Sequence, residues 1–460
     1  MNSLLTISVL AILVLYLGLF KAKKALLPVT ILGLLFALGN AVVQWNQFNP
    51  PIFHGMMQFD NYAVAFSSIV IVSTILILLL SKNYFERISR HVAEYYAVML
   101  FSLAGMVVMV SYHNLTMLFI GIEIMSVSLY ILAGIKKQDF ASNEAALKYF
   151  LMGAFSTGFL LFGVALIYGA SGSFDLEVIK GSLEKVQPKD ISPLFYAGIL
   201  LISVGLLFKV GAAPFHFWTP DVYDGAPTII TTFMSTAVKT AGFAAFLRLF
   251  ATCFVPLQDF WMPAMLTITI ITLFVGNITA LYQHSFKRLL AYSSISHAGY
   301  MLFAIVALNG NSAYGVFVYA IVYSAATIIA FAALMLIQSQ TASDAIDGLN
   351  GLGKRNPWLA FAVTVAMLSL AGIPLTGGFI GKFIMFSNAL SSYHIWLVIL
   401  AVVNAVIAIF YYLRVVVAMY FKDAEHGNIV VPAYFKLVLV ITVAATILIG
   451  IYPAVLTNLI

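Results

Sequence analysis

Apolar residues along this chain come in long, nearly unbroken runs, without the alternation of a half-buried strand or the one-sided spacing of an amphipathic surface helix. Fourteen runs approach the roughly 20 residues that carry a helix across about 30 Å of hydrocarbon. They fall at 3–20, 25–45, 61–81, 93–111, 114–134, 144–169, 193–217, 227–250, 260–282, 288–308, 313–337, 357–389, 394–421 and 433–456. The pattern predicts an all-α, polytopic membrane protein with about fourteen transmembrane helices, spans 1 to 14 in chain order. No charge precedes span 1 and no clear small-residue cleavage site precedes Lys21, so span 1 is expected to stay as a membrane helix.

Two spans carry an interruption. From Leu200 to Gly242 an apolar run holds Lys209, meets Pro214 and His216, and resumes past Pro227 with Lys239. Span 12 contains Ala371-Gly-Ile-Pro374-Leu-Thr-Gly377-Gly378 at its middle, with Lys382 four residues beyond. Proline removes a backbone donor, and the freed carbonyls need water or polar side chains at membrane depth. Helices 7 and 12 are therefore expected to be discontinuous, as in ion and proton sites of transporters. They lie five apart in order and run in opposite directions, which predicts two inverted five-helix repeats, helices 4–8 and 9–13. The units are 1–92 (helices 1–3), 93–250, 260–421 and 433–460. The match is imperfect, since the lysine precedes the proline in span 7 and follows it in span 12.

Composition agrees: 62% of residues are hydrophobic and 9% charged, with mean hydropathy +1.03. One cysteine, Cys253, excludes a disulfide framework, a CxxC redox pair and a thiolate-held iron–sulfur cluster. The net charge of +6 does not point to nucleic acid, because most basic residues sit in short loops between apolar runs. Loops after odd-numbered spans hold Lys21, Lys23, Lys24, Lys82, Arg87, Arg90, Lys136, Lys137, Lys287, Arg288, Lys354, Arg355 and Lys422. Loops after even-numbered spans hold only Lys180, Lys185 and Lys189, diluted by acids. The odd loops are thus expected to be cytoplasmic, with both termini outside. The loop 171–192, with its mixed charges, reads as solvated surface.

The remaining basic residues fall within spans. Lys436, Arg248 and Arg414 lie toward span ends and are expected to snorkel to the headgroups. Lys209 and Lys239 lie about 24 and 18 Å into their spans, too deep for that. A buried ammonium at such depth marks a functional site. Lys148, nearer a span end, is open to both readings. Glu123 is the one acid deep in a span and needs a cationic partner, either Lys148 or Lys209. At about 4 Å and an effective dielectric near 20 such a pair is worth about 4 kcal/mol. Making or breaking it is enough to decide whether a buried lysine holds its proton. His297 lies among Ser293, Ser294, Ser296 and Tyr300, suited to a proton relay or to a satisfied core histidine. His216 equally fits a site or the capping of broken backbone. The paired histidines of a b-type haem are absent.

These residues carry a resemblance. Lys209-Val-Gly-Ala-Ala-Pro214-Phe-His216-Phe-Trp218-Thr-Pro220-Asp221-Val-Tyr-Asp-Gly-Ala-Pro227, followed by Lys239, resembles the antiporter-like membrane subunits of NADH:quinone oxidoreductase, respiratory complex I. The likeness extends to Glu123, Lys148, the segment Phe286 to His297, and Gly372-Ile-Pro374 with Lys382. Within the family it looks most like the subunit N branch: the chain stops at Ile460 without the lateral helix of the largest relative, and has Lys382 where the intermediate one typically has glutamate. The resemblance implies a proton path in which Glu123 tunes Lys209, Lys239 connects, and Lys382 is the terminal donor or acceptor. Lys148 and His297 are further candidates. It implies a hetero-oligomer with other membrane subunits and lipid in a bacterial inner membrane. Flavin mononucleotide, iron–sulfur clusters and quinone would belong to partner subunits, with no cofactor or metal in this chain. Between Lys239 and Lys382 the sequence offers only His297 and hydroxyl residues, so waters would have to bridge gaps. The alternative is a subunit of a multisubunit monovalent cation/proton antiporter with the same lysines. A scaffold without transport is disfavoured by four lysines and a glutamate within spans.

Overall fold

The computed structural model describes residues 2–47, 50–88, 91–187, 190–341, 343–392, 394–423 and 427–457. Arg90 and Lys189, counted in the loop charges, lie outside the described residues, as do 458–460 at the end of the last unit. Among the described residues, thirteen helices are long and apolar enough to cross a membrane, and there is no strand beyond isolated bridges. Span 12 accounts for the difference from fourteen, because it is split into Pro357–Ala371 and Gly377–Ser391. Span 7 is Pro193–Val210 followed, after a turn, by the short helix Trp218–Gly225, which the run 193–217 had left outside. This second half carries Asp221 and Asp224, so its low hydropathy hid it.

Burial is graded across the bundle. Thr228–Thr252 is enclosed on every side, and Phe286–Val306 and Ser312–Thr341 nearly so, whereas Asn2–Leu19 and Lys23–Val43 turn most of their surface outward. Spans 8, 10 and 11 therefore form a protein-lined interior where polar groups are shielded from lipid. Close helix pairing depends on small residues, as is general in membranes. A Cβ at Gly105 of span 4 would lie 2.6 Å from the Met125 amide of span 5. One at Gly276 of span 9 would lie 2.5 Å from the Ser296 amide of span 10.

The same junction is built twice. Leu115 N donates to Phe174 O and Leu176 N to His113 O, making the bridge Asn114–Asp175 between the start of span 5 and the end of span 6. Phe286 N donates to Asp344 O and Ile346 N to His284 O, making the bridge Ser285–Ala345 between spans 10 and 11. The turns feeding them match bond for bond. Ser171 Oγ donates to Ser173 O and accepts from Ser173 N, and Thr341 Oγ1 does the same with Ser343. Five spans separate the two junctions, so they sit on opposite faces of the bundle. The mixed-charge loop begins with this junction, then forms Leu176–Glu184, which buries Leu176, Ile179 and Leu183.

Both broken helices end alike. Gly211 and Gly372 take left-handed φ of 71° and 85°, and the next residue's amide returns to the carbonyl five back, Ala212 to Leu207 and Ile373 to Leu368. This is the glycine-closed terminus that L-residues resist, with proline following because it cannot continue the helix. Span 8 has a departure the sequence did not signal, a π-helical turn Met234–Val238 immediately before Lys239.

Two of the expected snorkelling residues do not snorkel. Arg248 is buried and makes a two-pronged ion pair with Asp60, at 3.0 and 2.6 Å, while its guanidinium lies 4.7 Å from the Tyr62 ring. Asp60 also caps span 3 by accepting from Ala63 N. Tyr62 and Tyr112 donate to the neighbouring carbonyls of Ala244 and Ala245, so spans 3 and 4 are both tied to span 8. Arg414 donates to Leu281 O and Gln283 O, satisfying the open carbonyl end of span 9. In each case a partner lay close enough to compete with the headgroup region. Lys436 is exposed, as its position predicts.

Removing Arg248 would leave Asp60 without its cation at a helix start. Arg248→Ala is expected to destabilise the protein by about 3 kcal/mol, the lower end for breaking a buried pair because Asp60 is partly exposed. Lys436→Ala should stay within about 0.5 kcal/mol. Thermal unfolding of the purified membrane assembly checks this, and equal shifts for the two variants would contradict the assignment.

Candidate functional site

Lys209 occupies the last turn of the first half of span 7 and is buried. Its Nζ donates to Ser126 Oγ at 2.8 Å and lies 5.9 Å from the Tyr130 ring. Ser126 is one helical turn beyond Glu123, so the carboxylate shares the helix face that Lys209 contacts. Glu123 lies within electrostatic range of Lys209 but makes no ion pair among the described residues, and its Oε1 is buried without a hydrogen-bond partner. A buried acceptor left open in this way is costly unless water or a proton fills it.

Lys148 does not pair with Glu123. Its helix, Phe140–Ser171, starts earlier than the run 144–169 suggested, and Lys148 Nζ bonds Glu144 and Asp221, each at 2.7 Å. Asp221 also faces Arg288 at 3.7 Å, and Arg288 faces Asp224 at 3.3 Å. Lys287, counted above as a loop lysine, is buried and donates to the carbonyls of Asp224 and Ala226, both at 2.6 Å. The cluster joins span 6, the second half of span 7 and span 10. Sequence reading missed it, although the two aspartates of Asp221-Val-Tyr-Asp224 were its signal.

A 490 Å³ cleft reaches this end of the bundle, lined by Asp224, Thr228, Lys287, Gln338 and Asp344 among others. At its floor Thr228 Oγ1 donates to Gln338 Oε1 at 2.7 Å. Thr228, Thr231, Thr232, Ser235 and Thr236 then place hydroxyls turn by turn up to Lys239, all buried.

Lys239 opens the last part of span 8, just after the π turn. Its Nζ donates to the Ser294 carbonyl and hydroxyl on span 10. Ser294 Oγ accepts from Tyr323 OH at 2.9 Å. One turn further, His297 Nδ1 meets Tyr319 OH at 2.8 Å and Nε2 meets Tyr412 OH at 3.1 Å. Tyr412 is in turn bonded to Ser293 Oγ. A neutral imidazole donates through one nitrogen and accepts through the other, so His297 joins two hydroxyls whichever tautomer it holds. These tyrosines escaped the sequence reading because a tyrosine in an apolar span looks like packing. The spacing of Tyr319 and Tyr323, four apart on one helix face, was the available signal.

Lys382 completes the line. It is buried, and its Nζ donates to Leu370 O at 3.0 Å and Ala371 O at 2.8 Å, the open carbonyls at the end of Pro357–Ala371. The Tyr300 ring lies 4.7 Å away. A cavity of about 10 Å³ lies between His297, Tyr319, Tyr323 and the break at Ser369, Leu370 and Gly378. That is near the least space one water needs. Gly378 is obligatory there, since a Cβ would fall 1.8 Å from Ser369 O. The reversed order of lysine and proline in the two spans is thereby explained: each lysine sits at the carbonyl end of the first half-helix, where a cation is favoured.

No described hydrogen bond joins Lys209 to Lys239, although their segments touch at Val210 and Gly242. Lys239, His297 and Lys382 each head a separate hydrogen-bonded group, and no described hydrogen bond links the three groups. Pro214 and Pro374 are exposed at their turns, apart from these groups, and His216 has a buried Nδ1 with no hydrogen-bond partner among the described residues. Among the described residues no three metal-ligating side chains gather.

The transmembrane family described as NADH:quinone oxidoreductase/Mrp antiporter matches residues 111–408. NADH-quinone oxidoreductase subunit N of Cytophaga hutchinsonii is 40% identical over 462 residues, covering 100% of this chain and 99% of that protein. A chain of respiratory complex I from Thermus thermophilus superposes with a TM-score of 0.84 at 33% identity, over 99% of both chains. A chain of the Mrp complex from a Dietzia species gives 0.86 at 17% identity, over 100% of this chain and 95% of its own, a likeness of fold alone. With a family match across most of its length and relatives this similar end to end, the chain belongs to the NADH:quinone oxidoreductase/Mrp antiporter transmembrane family, in the branch of NADH-quinone oxidoreductase subunit N.

Proposed function

We propose that this chain is a proton-translocating membrane subunit of an NADH:quinone oxidoreductase, moving protons while partner subunits pass electrons from NADH to quinone. The observation that supports this best is the set of interior polar groups, Glu123, Lys209, Lys239, Ser294, Tyr323, His297 and Lys382, spread through the bundle between the two broken helices. In this reading flavin mononucleotide, iron–sulfur clusters and quinone belong to partner subunits, and the membrane is a bacterial inner membrane with both termini outside. The repeats are proposed at 93–250 and 260–421, each supplying one broken helix.

In this reading each residue takes a role compatible with its surroundings. The open Glu123 carboxylate, approaching or leaving Lys209, decides which of the two holds a proton. Lys239 gives its proton to Ser294, whose hydroxyl must turn to pass its own proton to a bridging water; from that water the proton enters at Tyr319 or Tyr412, and His297 relays it to the other by accepting at one ring nitrogen and releasing at the second. Lys382 holds it against the Leu370 and Ala371 carbonyls until it is released. Lys148, within its acidic cluster, gathers protons at the basic face of the bundle. Waters complete the gaps between Lys209 and Lys239 and beside Lys382. The second reading, a cation/proton antiporter subunit, uses the same residues without a redox partner. Co-purification of the chain with flavin- and iron–sulfur-bearing subunits separates the two.

Glu123→Gln keeps the volume and removes the charge. Proton pumping in vesicles should fall by about tenfold or more, a change of about 1.4 kcal/mol in the barrier, with the assembly intact. Pumping at the normal rate would sink the role of Glu123.

Lys382 gives a sharper contrast. Lys382→Met keeps the stem and loses the ammonium, and Lys382→Arg keeps a charge that is not shed. Both are expected to assemble and to lose most coupled transport, with arginine no more than about tenfold above methionine. Wild-type behaviour of the arginine variant would make Lys382 a fixed charge and move proton release elsewhere.

A further inference from the structure

On the face that carries most of the basic loops, a cleft of about 930 Å³ opens between the Tyr84–Ile88 turn with the start of span 4 and the turn that follows span 5. Its lining combines the cations Arg87, Lys136 and Lys137 with the apolar Tyr95, Val98 and Ile131, and also carries two carboxylates, Glu94, which faces His91 at 3.0 Å, and Asp139. Lys136 faces Asp139 at 3.9 Å. Arg87 and Lys137 are exposed and take part in none of the ion pairs among the described residues.

Below the cleft an apolar track continues toward the middle of the bundle. Ile131, Val127, Ile124 and Ile120 are all exposed along one side of Leu115–Ala133. Their spacing puts them in a single stripe parallel to the helix. The rim is at a span end, where phospholipid headgroups lie, and the stripe is at the depth of acyl chains. Two unpaired cations above an apolar track complement a molecule with a negative head and a long hydrocarbon tail.

The geometry points to a binding site for an anionic phospholipid, its phosphate held by Arg87 and Lys137 and one acyl chain lying along Ile131, Val127, Ile124 and Ile120. The site shares Arg87, Ile88, Lys136 and Asp139 with the cleft that leads to Thr228 and Lys287. A bound lipid would therefore form one wall of that cleft and keep hydrocarbon chains of the bulk bilayer out of it. None of this depends on the transport reading, because the lipid is recognised by charge and depth alone.

The test is retention of lipid by the purified membrane assembly. After mild delipidation, phosphatidylglycerol or phosphatidylcholine is added back and the bound lipid is counted by native mass spectrometry. Wild type should retain phosphatidylglycerol in preference to phosphatidylcholine. Since each basic residue near a membrane surface is worth about fivefold in affinity, Arg87→Gln with Lys137→Gln should weaken retention by about 25-fold. Arg87→Lys with Lys137→Arg should restore it, and Lys422→Gln, on a cation already paired with Asp347, should change nothing. Equal retention by the double glutamine variant overturns the proposal. So does equal retention of the zwitterionic lipid, or no lipid retained by wild type because a neighbouring subunit fills the cleft. Displacement of the lipid by millimolar inorganic phosphate alone would also overturn it, marking a site for a soluble anion.

Discussion

A helix that stops inside hydrocarbon leaves carbonyls with nothing to accept from, and the structure around spans 7 and 12 is arranged to answer that need. At the second break the answer is an ammonium: Lys382 reaches back to Leu370 and Ala371. The cost of burying the charge and the cost of opening the helix offset each other. Neither would be tolerated alone, which is why the lysine and the glycine-proline break belong to one feature. Lys287 repeats the device at the far end of the short helix Trp218–Gly225, and Arg414 repeats it at the end of span 9. Lys382, Lys287 and Arg414 all lie where a helix backbone ends.

That principle also separates what could be read in the sequence from what could not. Runs of apolar residues and interruptions by Gly-x-Pro are local, and they placed the spans and both breaks. Lys209, Lys239 and Lys382 were legible because a lysine at depth has no inexpensive alternative. Trp218–Gly225 was not, because eight residues containing two aspartates look like loop until a lysine and an arginine from other spans close over them. Arg248 failed for a related reason: its nearness to a span end is visible in the chain, while Asp60, almost two hundred residues earlier, is not. Tyr319, Tyr323 and Tyr412 carry their hydroxyls into the line around His297 by tertiary placement alone.

The enclosure of spans 8, 10 and 11 gives the polar line its setting. Hydroxyls, an imidazole and ammonium groups that lipid would exclude are held inside a protein shell, and nearly every one has a named partner. Among the described residues, those without one include the Glu123 carboxylate oxygen, His216 Nδ1 and the hydroxyls of Tyr130, Thr219, Thr240 and Ser324, buried polar atoms where a water or a proton has something to gain.

The twinned junctions at Asn114–Asp175 and Ser285–Ala345 have a consequence for direction. Two junctions built alike on opposite faces give the bundle no top or bottom of their own. Any vectorial behaviour must then come from where the halves disagree. They disagree in side chains: a lysine before the break, leaning on a serine within range of a carboxylate, against a lysine after the break, clasping two carbonyls with no ion pair among the described residues. Polarity in this molecule is written in its exceptions to symmetry.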